Sequence, residues 1–510
     1  MGNRSPGGAR RAQRPPSHYY NRPRRLLRRR RGISKRSINP AWRFLLPIFG
    51  LWLLLYGSYA LVRPPLPDGP GTIHAEIARE MIARHDWSSA YVNGEAVHSS
   101  ERTLDLIIAA SFKVFGVADW SARLPIALCV LALATIAFFF GRKLFLWNAA
   151  GLYAALIVLT WPGTFVTTRD LTPVPLLCVA SALIAFALWY LLAEKRLAGW
   201  SGIGVSAVAC ILMLLTAPWP AVILPLAIAV TCWVARGRQQ PHSLAQWPLI
   251  GWATASLILG YLLEAQPRNP LTWIGPVLPL ALLIGGWLAN QEAFDQPRKA
   301  RQLGYALFAI GLLASAVLIF FATEGTLGFS FFTSSVVLSS GTGRIPLVIL
   351  AATLIAGVTG NLVYRLHHHA RLANCFLAGM LGGVTVAIQA ALVIASPYSS
   401  SQILADAIRP ELEANDTVAV DGTYPEASSF AFYLERPISL APPQGSDVPV
   451  GAPPPKNTVA VDQLWNGSAR VYLWTTTDRP FPVPGPSYVV AASGGKEILS
   501  NQPNSGGASF

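Results

Sequence analysis

Between Pro64 and Pro125, directly after its first long apolar segment, the chain gathers ionisable residues in helix-patterned sequence: His74-Ala-Glu-Ile-Ala-Arg-Glu-Met81, Asp86-Trp87, Asn93-Gly94-Glu95 and Glu101-Arg102. A carboxylate held at a membrane face can take a proton, and a cation there can hold an anionic group. Arg169-Asp170 stands at the mouth of a later apolar segment, where an ionisable pair is a functional candidate by default. Topology and snorkelling explain that pair about as well. Each of the other groups also has a plain alternative. Pro67-Asp68-Gly69 is a strong turn signal, Glu101-Arg102 is a charged pair at a helix start, and Glu76 and Glu80 share a helix stripe that water can solvate. The run His367-His368-His369 lies beside Arg365 and Arg371, and reads as interfacial basic sequence rather than a metal site.

The elements that must position these groups are set by composition. With 52% apolar and 13% charged residues in 510, and a mean hydropathy of +0.42, the chain reads as a polytopic α-helical membrane protein and not a soluble globule. Spans of roughly 20 apolar residues are expected at 43–63, 122–141, 147–166, 171–193, 199–216, 218–235, 247–265, 271–289, 302–322, 344–364 and 374–395. Segments 103–118 and 328–341 are shorter or more polar, and read as re-entrant or interfacial helices or extra spans, for about 11–13 spans in all. Lys and Arg set the orientation. Arg24, Arg25, Arg28 to Arg31, Lys35 and Arg36 precede the first span and place the N-terminus in the cytoplasm. Alternate loops carry Arg142-Lys143, Lys195-Arg196, Arg236 and Arg238, Arg298-Lys299 with Arg301, and Arg365 with Arg371, while opposite loops such as Thr216 to Pro220 and Thr323 to Gly343 are nearly free of interior positive charge.

The formal charge of +15 follows from this topology and from contact with anionic membrane lipids; without aromatic interleaving, no nucleic-acid partner is expected. No clear small-residue cleavage site precedes the Pro-rich segment after Val62, so the first span reads as a signal anchor. Cysteines 129, 178, 210, 232 and 375 lie in expected spans without paired spacing, which points to neither a disulfide nor a metal framework.

After 396 the character changes. Long apolar runs give way to Pro, Gly, Asp and Ser with β-type alternation, as expected for an extracytoplasmic α/β domain over 397–510. A helix is expected at Ser401 to Leu412, helix or strand at Phe430 to Leu434, and strands at Asp416 to Val420, Thr458 to Val461, Arg470 to Trp474 and Tyr488 to Ala492. Three regions result: a basic cytoplasmic tail over 1–41, a transmembrane region over 42–396 with an outer loop at 64–121, and the outer domain. Ile73, Ile77, Ala78, Met81 and Ile82 form one stripe of a helix that can lie along the bilayer face.

The outer-loop words above, with Ser111-Phe-Lys-Val-Phe-Gly116 and Trp120-Ser-Ala-Arg-Leu-Pro125, resemble the membrane-embedded GT-C glycosyltransferases of the aminoarabinose transferase and protein O-mannosyltransferase group. The tail is similar to the outer domain of bacterial lipid A aminoarabinose transferases in Asp421-Gly-Thr-Tyr-Pro425, Phe432-Tyr-Leu-Glu-Arg-Pro437, Arg470-Val-Tyr-Leu473 and Ser493-Gly-Gly-Lys496. The resemblance implies a bacterial inner-membrane enzyme, without cofactor, that moves a sugar from a polyprenyl-phosphate donor to a lipid, lipid A-like or protein acceptor on the periplasmic face.

The working positions depart from that family. Where it carries Asp-Glu, this chain has Pro70 and Gly71, and a two-residue shift brings in Asp68 as the catalytic base. Where it carries Glu-Lys-Pro-Pro, a shift brings in Glu101 and Arg102, with Arg102 on the donor phosphate. Its Thr-Pro-Asp is Thr172-Pro173-Val174 here, and Arg169 and Asp170 stand one turn earlier. The resemblance thus implies Asp68, Glu101 and Asp170 as catalytic candidates, Arg102 and Arg169 as phosphate ligands, and no metal. Two further readings compete: a catalytically silent GT-C-like protein that binds polyprenyl lipid or serves as a partner subunit, and a transporter. The transporter reading loses ground because the spans show no repeat and no matched broken helices.

Overall fold

The structure is a computed structural model that describes residues 2, 42–58, 62–99, 101–193, 211, 246–262, 275–294, 297–323, 328–331, 334–337, 344–441, 461–478 and 482–503. The chain divides into two units between Leu46 and Pro47, and apart from Trp42–Leu46 the elements that follow lie in the larger one. Helix α1 is Trp42–Tyr56. The outer loop folds into α2 (Pro70–Ala83), a hairpin of β1 (Ala90–Val92) and β2 (Glu95–Val97), and α3 (Arg102–Phe115).

Long apolar helices follow: α4 (Asp119–Phe145), α5 (Asn148–Thr160), α6 (Pro162–Arg169), α7 (Val174–Ala193), α8 (Gln246–Leu262), α9 (Val277–Phe294), α10 (Pro297–Thr323), α11 (Arg344–Leu366) and α12 (Ala370–Ile394). Among the described residues, four helices are long and apolar enough to cross a membrane, or five if the bent pair α5 and α6 counts as one span. The chain is therefore a multi-pass membrane protein. The spans expected at 199–216 and 218–235 lie outside the described residues, apart from Ile211.

Two expectations change. The described residues of segment 328–341 form strands rather than a helix: Gly328–Phe331 (β3) pairs antiparallel with Ser334–Val337 (β4), in keeping with the alternation in Gly-Phe-Ser-Phe. Nor does α2 lie free on a bilayer face. Its apolar stripe, Ile77, Ala78 and Met81, packs against Leu104, Ile108 and Phe112 of α3 and against Phe432 of the outer domain. Glu76 and Glu80 are buried rather than solvated, at 2% and 9% exposure. Each is held by a nearby arginine, Glu76 by Arg79 within α2 and Glu80 by Arg84 at its C-cap, the spacing at which side chains meet across a helix turn. Burial pushes the Glu76 carboxyl up against the opposing pull of Arg79.

The C-terminal domain, expected from the sequence to be the outer domain, begins with α13 (Gln402–Ile408) and continues through β5 (Thr417–Asp421), α14 (Ser428–Leu434), β6 (Ser439–Ala441), α15 (Val461–Trp465), β7 (Val471–Thr476), β8 (Tyr488–Ser493) and β9 (Lys496–Ser500). Its sheet runs in the order β6-β5-β7-β9-β8, with β5 parallel to both neighbours and β9 antiparallel to β7 and β8. The helices α13 and α14 cover one face through Leu404, Ile408, Phe430 and Leu434 on Val418, Val420, Tyr472 and Trp474. The strand expected at Thr458 to Val461 lies outside the described residues up to 460, and Val461 opens α15 instead.

Candidate functional site

Pro162 breaks the α5–α6 span. It has no N–H to continue the ladder, and Trp161 is extended, so the two segments bend by 45°. The second segment ends at Arg169. Asp170 caps it through its backbone N–H to the Val166 carbonyl, and Leu171 then turns the chain with φ of 53°, a conformation that costs a non-glycine residue roughly 1–3 kcal/mol and clusters at functional sites.

Asp170 is set against α2. A Cβ on Gly71 would collide with the Asp170 carbonyl oxygen, so this helix start takes no side chain at that position. One oxygen of the Asp170 carboxylate, Oδ2, is buried without a hydrogen-bond partner. Burial pushes its pKa up to about 6, against the opposing charges of Arg169 and Arg123. Arg169 is 3% exposed and donates from Nη2 to the Leu392 carbonyl at 2.8 Å. Arg123, fully buried in α4, donates to the carbonyls of Pro64, Pro65 and Arg169, at 2.5, 2.8 and 3.2 Å. It joins the start of the outer loop to the end of α6.

One turn along α2 from Gly71, His74 enters a cluster that the sequence reading did not identify. Its Nδ1 lies 2.6 Å from Asp105 Oδ1 and its Nε2 3.0 Å from Glu101 Oε2. Ser99 Oγ donates to the other oxygen of Asp105 at 2.5 Å. Burial alone would lower the imidazole pKa, but the hydrogen bonds and charges of Asp105 and Glu101 outweigh it and carry it up to about 9. The available signal was Glu101 and Asp105, four apart at the start of one helix, where side chains share a face. Arg102, next to Glu101, donates from Nη2 to the carbonyls of Trp87 and Ser88.

Asp68 has a different setting. Its Oδ1 accepts from Ser429 N–H at 2.9 Å and Ser429 Oγ at 2.5 Å; its Oδ2 accepts from Ser401 Oγ at 3.1 Å and Lys496 Nζ at 2.6 Å. The pair with Lys496 is buried, at 7% and 10% side-chain exposure. Both oxygens are therefore engaged by the outer domain. Nearby bonds reinforce that seam: Gly69 with Ser428, Leu66 N–H to Tyr433 Oη, and Asn93 with Ile438 in both directions. Asp68 tethers the loop to the outer domain.

The structure thus separates the expected site residues. Asp170 and Arg169 are adjacent at the end of α6, and Glu101 and Arg102 at the start of α3. Among the described residues, no hydrogen bond or ion pair joins Asp68, Arg102 and Asp170 to one another. No group of three His, Cys, Asp or Glu among the described residues could hold a metal. An apolar cavity of about 320 Å³ shares none of these residues; it lies between α11 and α12, lined by Thr353, Gly357, Phe376 and Met380.

Residues 103–262 match the dolichyl-phosphate-mannose-protein mannosyltransferase family. No curated protein sequence matches the chain. Two solved structures are similar over nearly all of it. ArnT from Cupriavidus metallidurans in the apo state aligns with TM-score 0.63 and 18% identity, covering 88% of this chain and 98% of that one. ArnT from the same organism bound to undecaprenyl phosphate aligns with TM-score 0.68 and 16% identity, covering 92% and 100%. The resemblance carried by the outer-loop and tail residues holds in three dimensions: the chain has the fold of the GT-C membrane glycosyltransferases, in the architecture that ArnT displays.

Proposed function

We propose that this protein is a membrane glycosyltransferase. It takes a sugar from a polyprenyl-phosphate donor and transfers it to a hydroxyl of a lipid, lipid A-like or protein acceptor, on the outer face of a bacterial inner membrane. The observation that carries this reading is Asp170: a carboxylate with an unpartnered buried oxygen and a raised pKa, at the end of a broken span in a GT-C fold. A carboxylate of that kind suits a general base, because its pKa lies near the operating pH.

In this reading the acceptor oxygen attacks the anomeric carbon of the donor sugar. The bond from that carbon to the phosphate oxygen breaks, its electron pair leaves with the polyprenyl phosphate, and the acceptor proton passes to Asp170. Arg169 and Arg102 stabilise the phosphate as it leaves, Arg102 through a guanidinium suited to bidentate contact. Glu101 orients Arg102 from the adjacent position. Asp68, expected as the base, instead holds the outer domain in place, and that domain presents the acceptor. The apolar cavity between α11 and α12 offers walls of the kind an isoprenoid chain buries against.

The test is transfer by the full chain in proteoliposomes supplied with undecaprenyl-phosphate-linked sugar. Asp170→Asn is expected to lower the rate by about 10²–10⁴-fold, the range for loss of a general base, with folding intact. A second reading, the catalytically silent relative, is favoured by one observation: Gly71 has no room for the carboxylate the family carries there. Wild-type protein that binds undecaprenyl phosphate yet yields no product from any donor and acceptor would establish that reading instead.

A further inference from the structure

We propose that His74 is a positioning residue: its ring ties the first turn of α3, and with it Arg102, to α2 beside Asp170, so that the guanidinium is set to hold the phosphate of a polyprenyl lipid. This rests on the transferase reading for its ligand, and on the geometry of His74 for its mechanism.

The ring has a carboxylate on each nitrogen, Asp105 at 2.6 Å and Glu101 at 3.0 Å. A neutral imidazole carries one N–H and can donate to only one of them; the cation donates to both. Asp105 is fully buried and its second oxygen is taken by Ser99, so this end of the bridge is fixed. Glu101 is the more exposed end, at 33% side-chain exposure, and it is the cap residue of α3. Arg102 follows it and spends Nη2 on the Trp87 and Ser88 carbonyls, which leaves Nε and Nη1 for an anion. On α2, His74 lies three residues from Gly71, a rise of roughly 4.5 Å, and Gly71 touches Asp170.

The charged and titratable groups facing His74 are Glu101 and Asp105, from the cap and first turn of α3. Glu76 and Arg79 point to the outer domain, where Arg79 stacks over Phe432. With its pKa raised to about 9, above the ordinary 6.5, the ring bridges both carboxylates at neutral pH. The bridge, and the stability it contributes, are lost as pH rises through about 9.

The experiment is binding of undecaprenyl phosphate to the full chain in nanodiscs on either side of about pH 9, where the lipid phosphate itself, with a second pKa of about 6, does not titrate. Wild-type affinity is expected to fall about tenfold or more above that pH, as for loss of one charge-assisted hydrogen bond. His74→Gln should bind weakly at both pH values, and His74→Lys should restore binding and keep it past the wild-type fall, because lysine ionises higher. Equal affinity and equal pH dependence in wild type and His74→Gln would overturn the inference. Absence of binding by wild type at any pH would overturn both this inference and the transferase reading. Binding with the expected pH dependence, but no transfer from any donor, would leave His74 its role and remove the transferase reading alone.

Discussion

Asp68 and Asp170 are both aspartates beside the start of α2, and they sit in opposite surroundings. Asp68 accepts from Ser429, Ser401 and Lys496, with both oxygens engaged. Asp170 has a buried oxygen with no partner and two arginines that act on it without a bond to that atom. A buried carboxylate with its lone pairs taken stabilises a domain junction, whereas one left unsatisfied costs about 1–3 kcal/mol and persists where the fold has a use for it. The two regions divide the work: the loop-to-domain seam supplies rigidity, and the end of the broken span supplies a group able to accept a proton.

The contrast breaks most sharply on activity. Asp170→Asn should remove transfer by about 10²–10⁴-fold while the melting temperature holds or rises, because the amide does not carry the burial cost of the ionised carboxylate. Asp68→Asn should do the reverse: it leaves Lys496 buried without its partner, a loss of about 3–5 kcal/mol in stability, read by thermal unfolding in detergent. Pairing it with Lys496→Met should recover part of that loss, since the coupling energy of a contacting pair is absent from the double variant.

Gly71→Ala comes next. Its methyl meets the Asp170 carbonyl, and relieving an overpacked contact costs about 1–3 kcal/mol; the displaced Asp170 should lower the transfer rate more than it lowers expression. The smallest effect is in pH. Asp170 has a folded pKa of about 6, raised by burial above the ordinary carboxylate value. The stability it contributes is full below that ordinary value and is lost as pH rises through about 6. Transfer, which needs the ionised form, should fall as pH drops through the same point. In Asp170→Asn the unfolding temperature should lose that pH dependence.

Much of the architecture was legible because hydropathy is a local signal. The expected spans at 122–141 and 344–364 fall inside α4 and α11, the one at 374–395 overruns α12 by a single residue, and the strands at Asp416, Arg470 and Tyr488 begin within a residue of β5, β7 and β8. The β3–β4 hairpin was missed because a short apolar stretch with mixed polarity fits a short helix as readily as a strand. The site was less legible for a different reason. Lys496 is far from Asp68 along the chain, so nothing local marks Pro67-Asp68-Gly69 as more than a turn, and the motif count that made Asp68 a base could not see the outer domain closing over it. The exclusion of a side chain at Gly71 is likewise set by the backbone of Asp170, which packs there only after α6 breaks at Pro162. Arg169-Asp170 stands out in the sequence because charge at the mouth of a span is conspicuous against an apolar background.

The most direct test of this division is sugar transfer per folded molecule, measured side by side for Asp68→Asn and Asp170→Asn in proteoliposomes with undecaprenyl-phosphate-linked sugar, after the unfolded fraction is removed by size exclusion. The account predicts that folded Asp68→Asn retains transfer and folded Asp170→Asn loses it. Folded Asp68→Asn without activity, beside an active Asp170→Asn, would contradict it.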